Sequence, residues 1–105
     1  MIPVMCIVQE GQISSDAEHG LKTQIRDFTR RAFSSDADID WIVVPKSSGF
    51  TAAEPSNTVI ASMHSNRPLL QQERAELLRE LGDICMDNTG RSPNEIVTSI
   101  RNPQD

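Results

Sequence analysis

The stretch Met1–Gly11, MIPVMCIVQEG, decides how the rest of the chain is read. It is an apolar run with a proline at its third position, closed by a turn. Proline has no N–H to give to a sheet ladder, so it suits the first residue of a strand or an edge. Both alternating sets behind it are apolar: Ile2, Val4, Cys6 and Val8 on one side, Met5 and Ile7 on the other. That pattern predicts a strand over Ile2–Gln9 that is covered on both faces.

Working outward, Glu10-Gly11-Gln12 is a turn, and Ser15-Asp16-Ala17-Glu18 has the form of a capping box. Leu21, Ile25, Phe28 and Ala32 follow at helical spacing, with Lys22, Arg26 and Arg30 expected on the opposite, solvated side. The helix is expected to end near Phe33. Ile39–Val44 reads as a second strand stopped by Pro45. The small-residue segment 46–56 reads as a loop or short hairpin. Thr58–His64 is the third strand. A second helix is expected from Leu70 to Asn88, with Leu77, Leu78, Leu81, Ile84 and Cys85 on one stripe and Gly90 just past its end. Ile96–Ile100 is the last strand.

The two halves repeat one plan: strand, turn, amphipathic helix, loop, strand. Residues 1–45 and 57–103 are the pseudo-repeats, so the 105-residue chain is a single α/β domain built from a duplicated β-α-β unit. Strands joined by a helical crossover pair in parallel. The expected architecture is a four-stranded mixed sheet with two helices on one face. Two helices leave the other face bare, and the first strand is apolar on both sides. Other copies of the chain are the expected cover.

Composition narrows the class of function. The formal net charge is −5, and the one dense basic cluster, Arg26, Arg30 and Arg31, sits among acids. A phosphate-binding surface needs a basic patch, so no nucleic-acid partner is expected. The apolar run Ile2–Val8 is too short to span a bilayer and lacks a signal-peptide layout, so no membrane partner is expected either. Cys6 and Cys85 lie in apolar stretches and read as buried reduced thiols, which points to the cytoplasm. No His, Cys or Asp set has metal-ligand spacing, and no G-x-G-x-x-G or phosphate loop is present, so neither metal nor cofactor is expected. Ser47-Ser48-Gly49 lacks the strand–elbow–helix setting of a nucleophilic serine.

The layout resembles the tautomerase superfamily, the group of 4-oxalocrotonate tautomerase and macrophage migration inhibitory factor. The resemblance covers nearly the whole chain. It rests on Pro3-Val4 opening the first strand, Val43-Val44-Pro45 ending the second and Glu54-Pro55 before the third. Ser62-Met63-His64-Ser65 closing the third strand and Asn88-Thr89-Gly90-Arg91-Ser92-Pro93 before the last add to it. It implies a β-α-β-β-α-β fold assembled as a homotrimer with its sheets facing inward, working without a cofactor.

The implied chemistry is proton transfer on small keto–enol or unsaturated carboxylic acids. An N-terminal proline amine, held in an apolar pocket that disfavours its charged form, acts as the base. Cationic side chains hold the substrate carboxylate or enolate. Dehalogenase relatives use the proline as an acid toward water, so dehalogenase-like or hydratase-like side activity is also implied. Here Met1 and Ile2 stand before Pro3, and Ile2 is larger than the residues before which methionine is normally trimmed. An internal proline nitrogen is an amide that neither takes nor gives a proton. The candidate catalytic groups are therefore the Met1 α-amine, and Pro3 only if processing exposes it. The alternative is a catalytically silent trimeric protein that keeps the fold for binding or structure.

The resemblance also marks partner positions. Arg67 stands near a carboxylate-binding arginine of dehalogenase-like members, with Ser65 and Asn66 where a second arginine lies. Thr29 stands at a helix position that holds a catalytic histidine in some relatives. Ser34 stands where the cytokine-like members have lysine, and Val97 and Ser99 where they have tyrosine and asparagine. Arg67 is the candidate substrate-binding cation, against a solvated charge at a helix start. Trp41 is read as core or interface first and pocket wall second. Phe50 is either a wall of the pocket mouth or a local surface cap. His64, a lone histidine at a strand end, is read as structural, and His19, on the first helix without a partner at fixed spacing, as solvent-facing.

Overall fold

The computed structural model describes residues 1–45, 50–51, 54–55 and 58–103. The elements run β1 (Ile2–Gln9), α1 (Ser15–Phe33), β2 (Ala37–Val44), β3 (Phe50–Thr51), β4 (Glu54–Pro55), β5 (Val59–His64), α2 (Gln71–Thr89), a 3-10 turn (Pro93–Glu95) and β6 (Ile96–Arg101). Four strands make one sheet in the order β2-β1-β5-β6. The pairs β1–β2 and β5–β6 are parallel, as helical crossovers require, and β1 meets β5 antiparallel. The duplicated β-α-β plan is therefore the architecture, its halves joined through the two central strands. Segment 46–56 contains a two-residue antiparallel hairpin, Phe50 opposite Pro55 and Thr51 opposite Glu54.

One face of the sheet carries the core. Ile2, Val4 and Cys6 of β1, Ala37 of β2, Ala61 and Met63 of β5 and Ile100 of β6 pack under Leu21, Ile25, Phe28 and Phe33 of α1 and Leu81, Ile84 and Cys85 of α2. Phe28 and Phe33 meet edge to face, with ring centroids 6.2 Å apart. Both cysteines are free and buried.

Three local expectations are corrected. The N-cap of α1 is Ser14, not Ser15: its Oγ accepts from the Ala17 N–H at 3.1 Å, and its carbonyl accepts from the Glu18 N–H. Glu18, one position too far along to close a capping box, pairs with Lys22 at 2.8 Å instead. Lys22 is half-buried rather than solvated, because its Nζ lies 4.9 Å from the centre of the Trp41 ring on β2. Strand β2 starts at Ala37, two residues before the expected Ile39. Asp38 and Asp40 point to the bare face, where carboxylates stay hydrated, so polar residues there do not end the strand. Helix α2 stops where expected, with Gly90 in the left-handed conformation (φ 69°).

Candidate active site

Strand register sorts the uncovered face into rows. Paired residues on neighbouring strands project to the same side. Pro3 is paired with Asp38, Met5 with Asp40 and Ile7 with Ile42; across β5–β6, His64 is paired with Arg101, Ser62 with Ser99 and Ile60 with Val97. The antiparallel register sets Met5 opposite Ser62 and Ile7 opposite Ile60, and one step further brings Pro3 beside His64. The top row is thus Asp38, Pro3, His64, Arg101. The middle row is Asp40, Met5, Ser62, Ser99. The bottom row, Ile42, Ile7, Ile60, Val97, is wholly apolar.

The upper rows enclose a cleft of about 380 Å³, lined by Pro3, Val4, Met5, Asp38, Asp40, Ser62, His64 and Arg101. That size suits a small ligand. Its wall carries carboxylates on the β2 side and a guanidinium on the β6 side. Strands lie about 4.8 Å apart, so the row spans about 14 Å from Asp38 to Arg101. Among the described residues Arg101 has no ion pair. The Ser62 and Ser99 hydroxyls are bonded to each other at 2.8 Å. His64 Nδ1 lies 3.1 Å from the Asn102 carbonyl oxygen. A carbonyl only accepts, so Nδ1 is the donor and carries the proton.

Asn102 anchors this corner of the sheet. Its side-chain oxygen accepts from the Leu69 N–H at 3.2 Å and from Arg74 of α2. The Ser65 N–H donates to the Arg101 carbonyl at 2.8 Å. His64 and Arg101 therefore sit where the ends of β5 and β6 and the start of α2 are tied together.

The residues singled out in the sequence fall in different places. Pro3 lines the cleft; its nitrogen is amide-bonded to Ile2. Met1 is 78% exposed and is not among the lining residues. Arg67 holds Glu73 through two hydrogen bonds, at 2.9 and 2.8 Å, donates to the Ala32 carbonyl and lies over the Phe33 ring. This clamp joins the start of α2 to the end of α1. Hydrogen bonding to Arg67 holds the Glu73 carboxyl below its ordinary range. Trp41 is half-buried on the helix side, and its Nε1 has no partner among the described residues. Thr29 is wholly buried, its hydroxyl donating to the Arg26 carbonyl at 3.0 Å. The Phe50 side chain lies outside the described residues.

The polar lining residues Asp38, Asp40, Ser62, His64 and Arg101 were not assigned to the site from the sequence. Arg101 was not singled out, and His64 was read as structural. The signal was the alternation of β6: once Ile100 is core, Val97, Ser99 and Arg101 must share the other face with His64 and Pro3.

Solved structures with this architecture decide the fold. Native Ps01740 superposes with a TM-score of 0.87 at 20% identity, over 96% of this chain and 93% of that one. A fused 4-OT, described as a symmetric trimer, gives 0.84 at 10% identity, over 96% and 85%. N1, a member of the cis-3-chloroacrylic acid dehalogenase family, gives 0.80 at 10% identity, over 96% and 74%. The chain has the tautomerase-superfamily fold. The sequence itself matches no protein-family profile and no curated protein. Within this tautomerase fold the cleft lies on the bare sheet face at the N-terminal end of β1. Among the described residues no helix is long and apolar enough to cross a membrane.

Proposed function

We propose that this chain takes small carboxylated keto–enol or unsaturated acids into the cleft at the top row and moves a proton between their carbon and oxygen atoms. The observation that carries this reading is the placement of Pro3, His64 and Arg101 side by side on one open face of a tautomerase fold. Arg101 supplies a guanidinium able to hold a carboxylate through paired hydrogen bonds. The assembly is a homotrimer. The apolar bottom row needs a cover, Val97 is 50% exposed in the isolated chain, and solved relatives of this fold are described as trimers.

The resemblance directs attention first to the amines at the start of β1. They are the Met1 amine and a Pro3 amine released by removal of residues 1–2. Ile2 argues against that removal: its side chain is wholly buried and its N–H donates to the Asp36 carbonyl at 2.8 Å. Comparing the 105-residue chain with a chain beginning at Pro3 tests the reading, using phenylenolpyruvate and 2-hydroxymuconate as substrates. Turnover by either form supports proton transfer, and turnover by the shortened form alone assigns it to Pro3. The second reading, a silent trimer, is favoured by the amide at Pro3. It predicts ligand binding with no turnover in both forms.

A further inference from the structure

We propose that His64 is the proton-transfer residue of this cleft in the 105-residue chain. The inference rests on the reading of the cleft given above and names the group that does its chemistry. Three observations carry it. First, the neighbour of His64 in the row, Pro3, has an amide nitrogen with no available lone pair. Second, the Asn102 carbonyl fixes the imidazole: with Nδ1–H donating at 3.1 Å, the neutral ring keeps its lone pair on Nε2, which has no hydrogen-bond partner among the described residues. Third, His64 is paired in register with Arg101, and both line the cleft.

The spacing fits a 2-oxo acid in its enol form. A carboxylate held by Arg101 on β6 places the adjacent C2 oxygen and C3 toward β5, about 4.8 Å away, where His64 stands. Nε2 takes the proton of the enol O–H, and the electrons of that bond become the C2=O π bond. The C2=C3 π pair then takes a proton at C3 from the imidazolium Nε2–H. The product is the keto acid of the same formula, and His64 ends neutral. Nothing is oxidised or reduced, and no co-reactant is needed. The charged groups facing the ring are Arg101 from β6 and, across Pro3, Asp38 and Asp40 from β2.

The test uses the full chain with two probes: 3-phenylpropionate, a carboxylate without an enol, for binding, and phenylenolpyruvate for ketonisation. His64→Ala is expected to lower kcat by about a hundredfold or more, since general acid–base groups contribute about 10²–10⁴. It should still bind 3-phenylpropionate, which Arg101 holds, and added imidazole should restore part of the rate. His64→Gln, which keeps a donor toward the Asn102 carbonyl, should show the same loss, as a merely structural histidine would not. If either folded variant turns over like the parent, His64 is overturned. If the parent binds 3-phenylpropionate without accelerating ketonisation, His64 is overturned and the binding reading stands. If the parent binds nothing, both fail.

Discussion

Ile2 and Pro3 are consecutive residues on opposite faces of β1: Ile2 is wholly buried in the core, and Pro3 lines the open cleft. The residue in front of the proline is therefore part of what holds the domain together. It also acylates the Pro3 nitrogen, which leaves that atom without an available lone pair.

Removing the Ile2 side chain should unfold the protein more readily than removing almost any surface group. Ile2→Ala leaves a cavity in the core between the sheet and the helices. Substitutions of this type cost about 2–5 kcal/mol, enough to lower the urea midpoint visibly. A chain beginning at Pro3 should lose at least as much, because the Ile2–Asp36 backbone bond goes too. A shortened chain as stable as the parent would show that Ile2 is dispensable and reopen Pro3 as an amine.

Arg101 and Arg67 should behave oppositely. Arg101 lines the cleft without an ion pair among the described residues, whereas Arg67 is committed to Glu73 and the Ala32 carbonyl. Hydrogen bonds to a charged group contribute about 1.5–3 kcal/mol, so Arg101→Ala should weaken 3-phenylpropionate binding about 10- to 100-fold. Arg67→Ala should leave that affinity unchanged and loosen the contact between α1 and α2. Titration calorimetry on both variants decides. Weaker binding in Arg67→Ala alone would move the carboxylate site to the start of α2.

The two buried thiols make stability fall at alkaline pH. Burial, reinforced by the nearby Cys85 and opposed by Lys22, pushes Cys6 up to about 12, and burial pushes Cys85 to about 11, from an ordinary 9.0. Below pH 9.0 both thiols are protonated whether or not the chain is folded, and their contribution is fully present. Above it the unfolded chain releases protons that the folded chain keeps. Stability therefore drops as pH rises toward 11 and 12, by about 1.4 kcal/mol per unit for each thiol. The chain has no tyrosine to confuse the titration. Urea midpoints at about pH 8 and about pH 10 should differ, and the double variant Cys6→Ala with Cys85→Ala should remove most of the difference. Equal midpoints in the parent would mean that the thiols are not shielded.

The fold was legible because its signals are local. The apolar alternation of Ile2–Gln9 and the helical stripe through Leu21, Ile25 and Phe28 need no partner to be recognised. The start of β2 was hidden because Asp38 and Asp40 face water, so the apolar signal begins only at Ile39. The cap of α1 was off by one because two serines stand together and only backbone geometry chooses between them. The site was half legible. Pro3 announces itself, but the row it belongs to depends on register between strands far apart in sequence. Arg67 lies three residues past the end of β5 and Arg101 closes β6 after Ile100, and only the folded chain shows that one turns to the helices and the other to the cleft.

The bottom row of the bare face makes the last prediction. Ile42, Ile7, Ile60 and Val97 lie across all four strands with no polar side chain between them. Ile7, Ile42 and Ile60 are only partly buried, and Val97 stays half exposed on the outermost strand. Sedimentation of the parent should give three times the 11.7 kDa chain. Val97→Asp puts a carboxylate in the row proposed as the contact between copies. Burying an unpaired charge costs several kcal/mol, so the variant should sediment as one chain. Its far-UV circular dichroism should be unchanged, because Val97 points away from the core. A Val97→Asp protein that still sediments as a trimer would place the contact between copies elsewhere on the molecule, and a parent that sediments as one chain would leave the apolar row without the partner assigned to it.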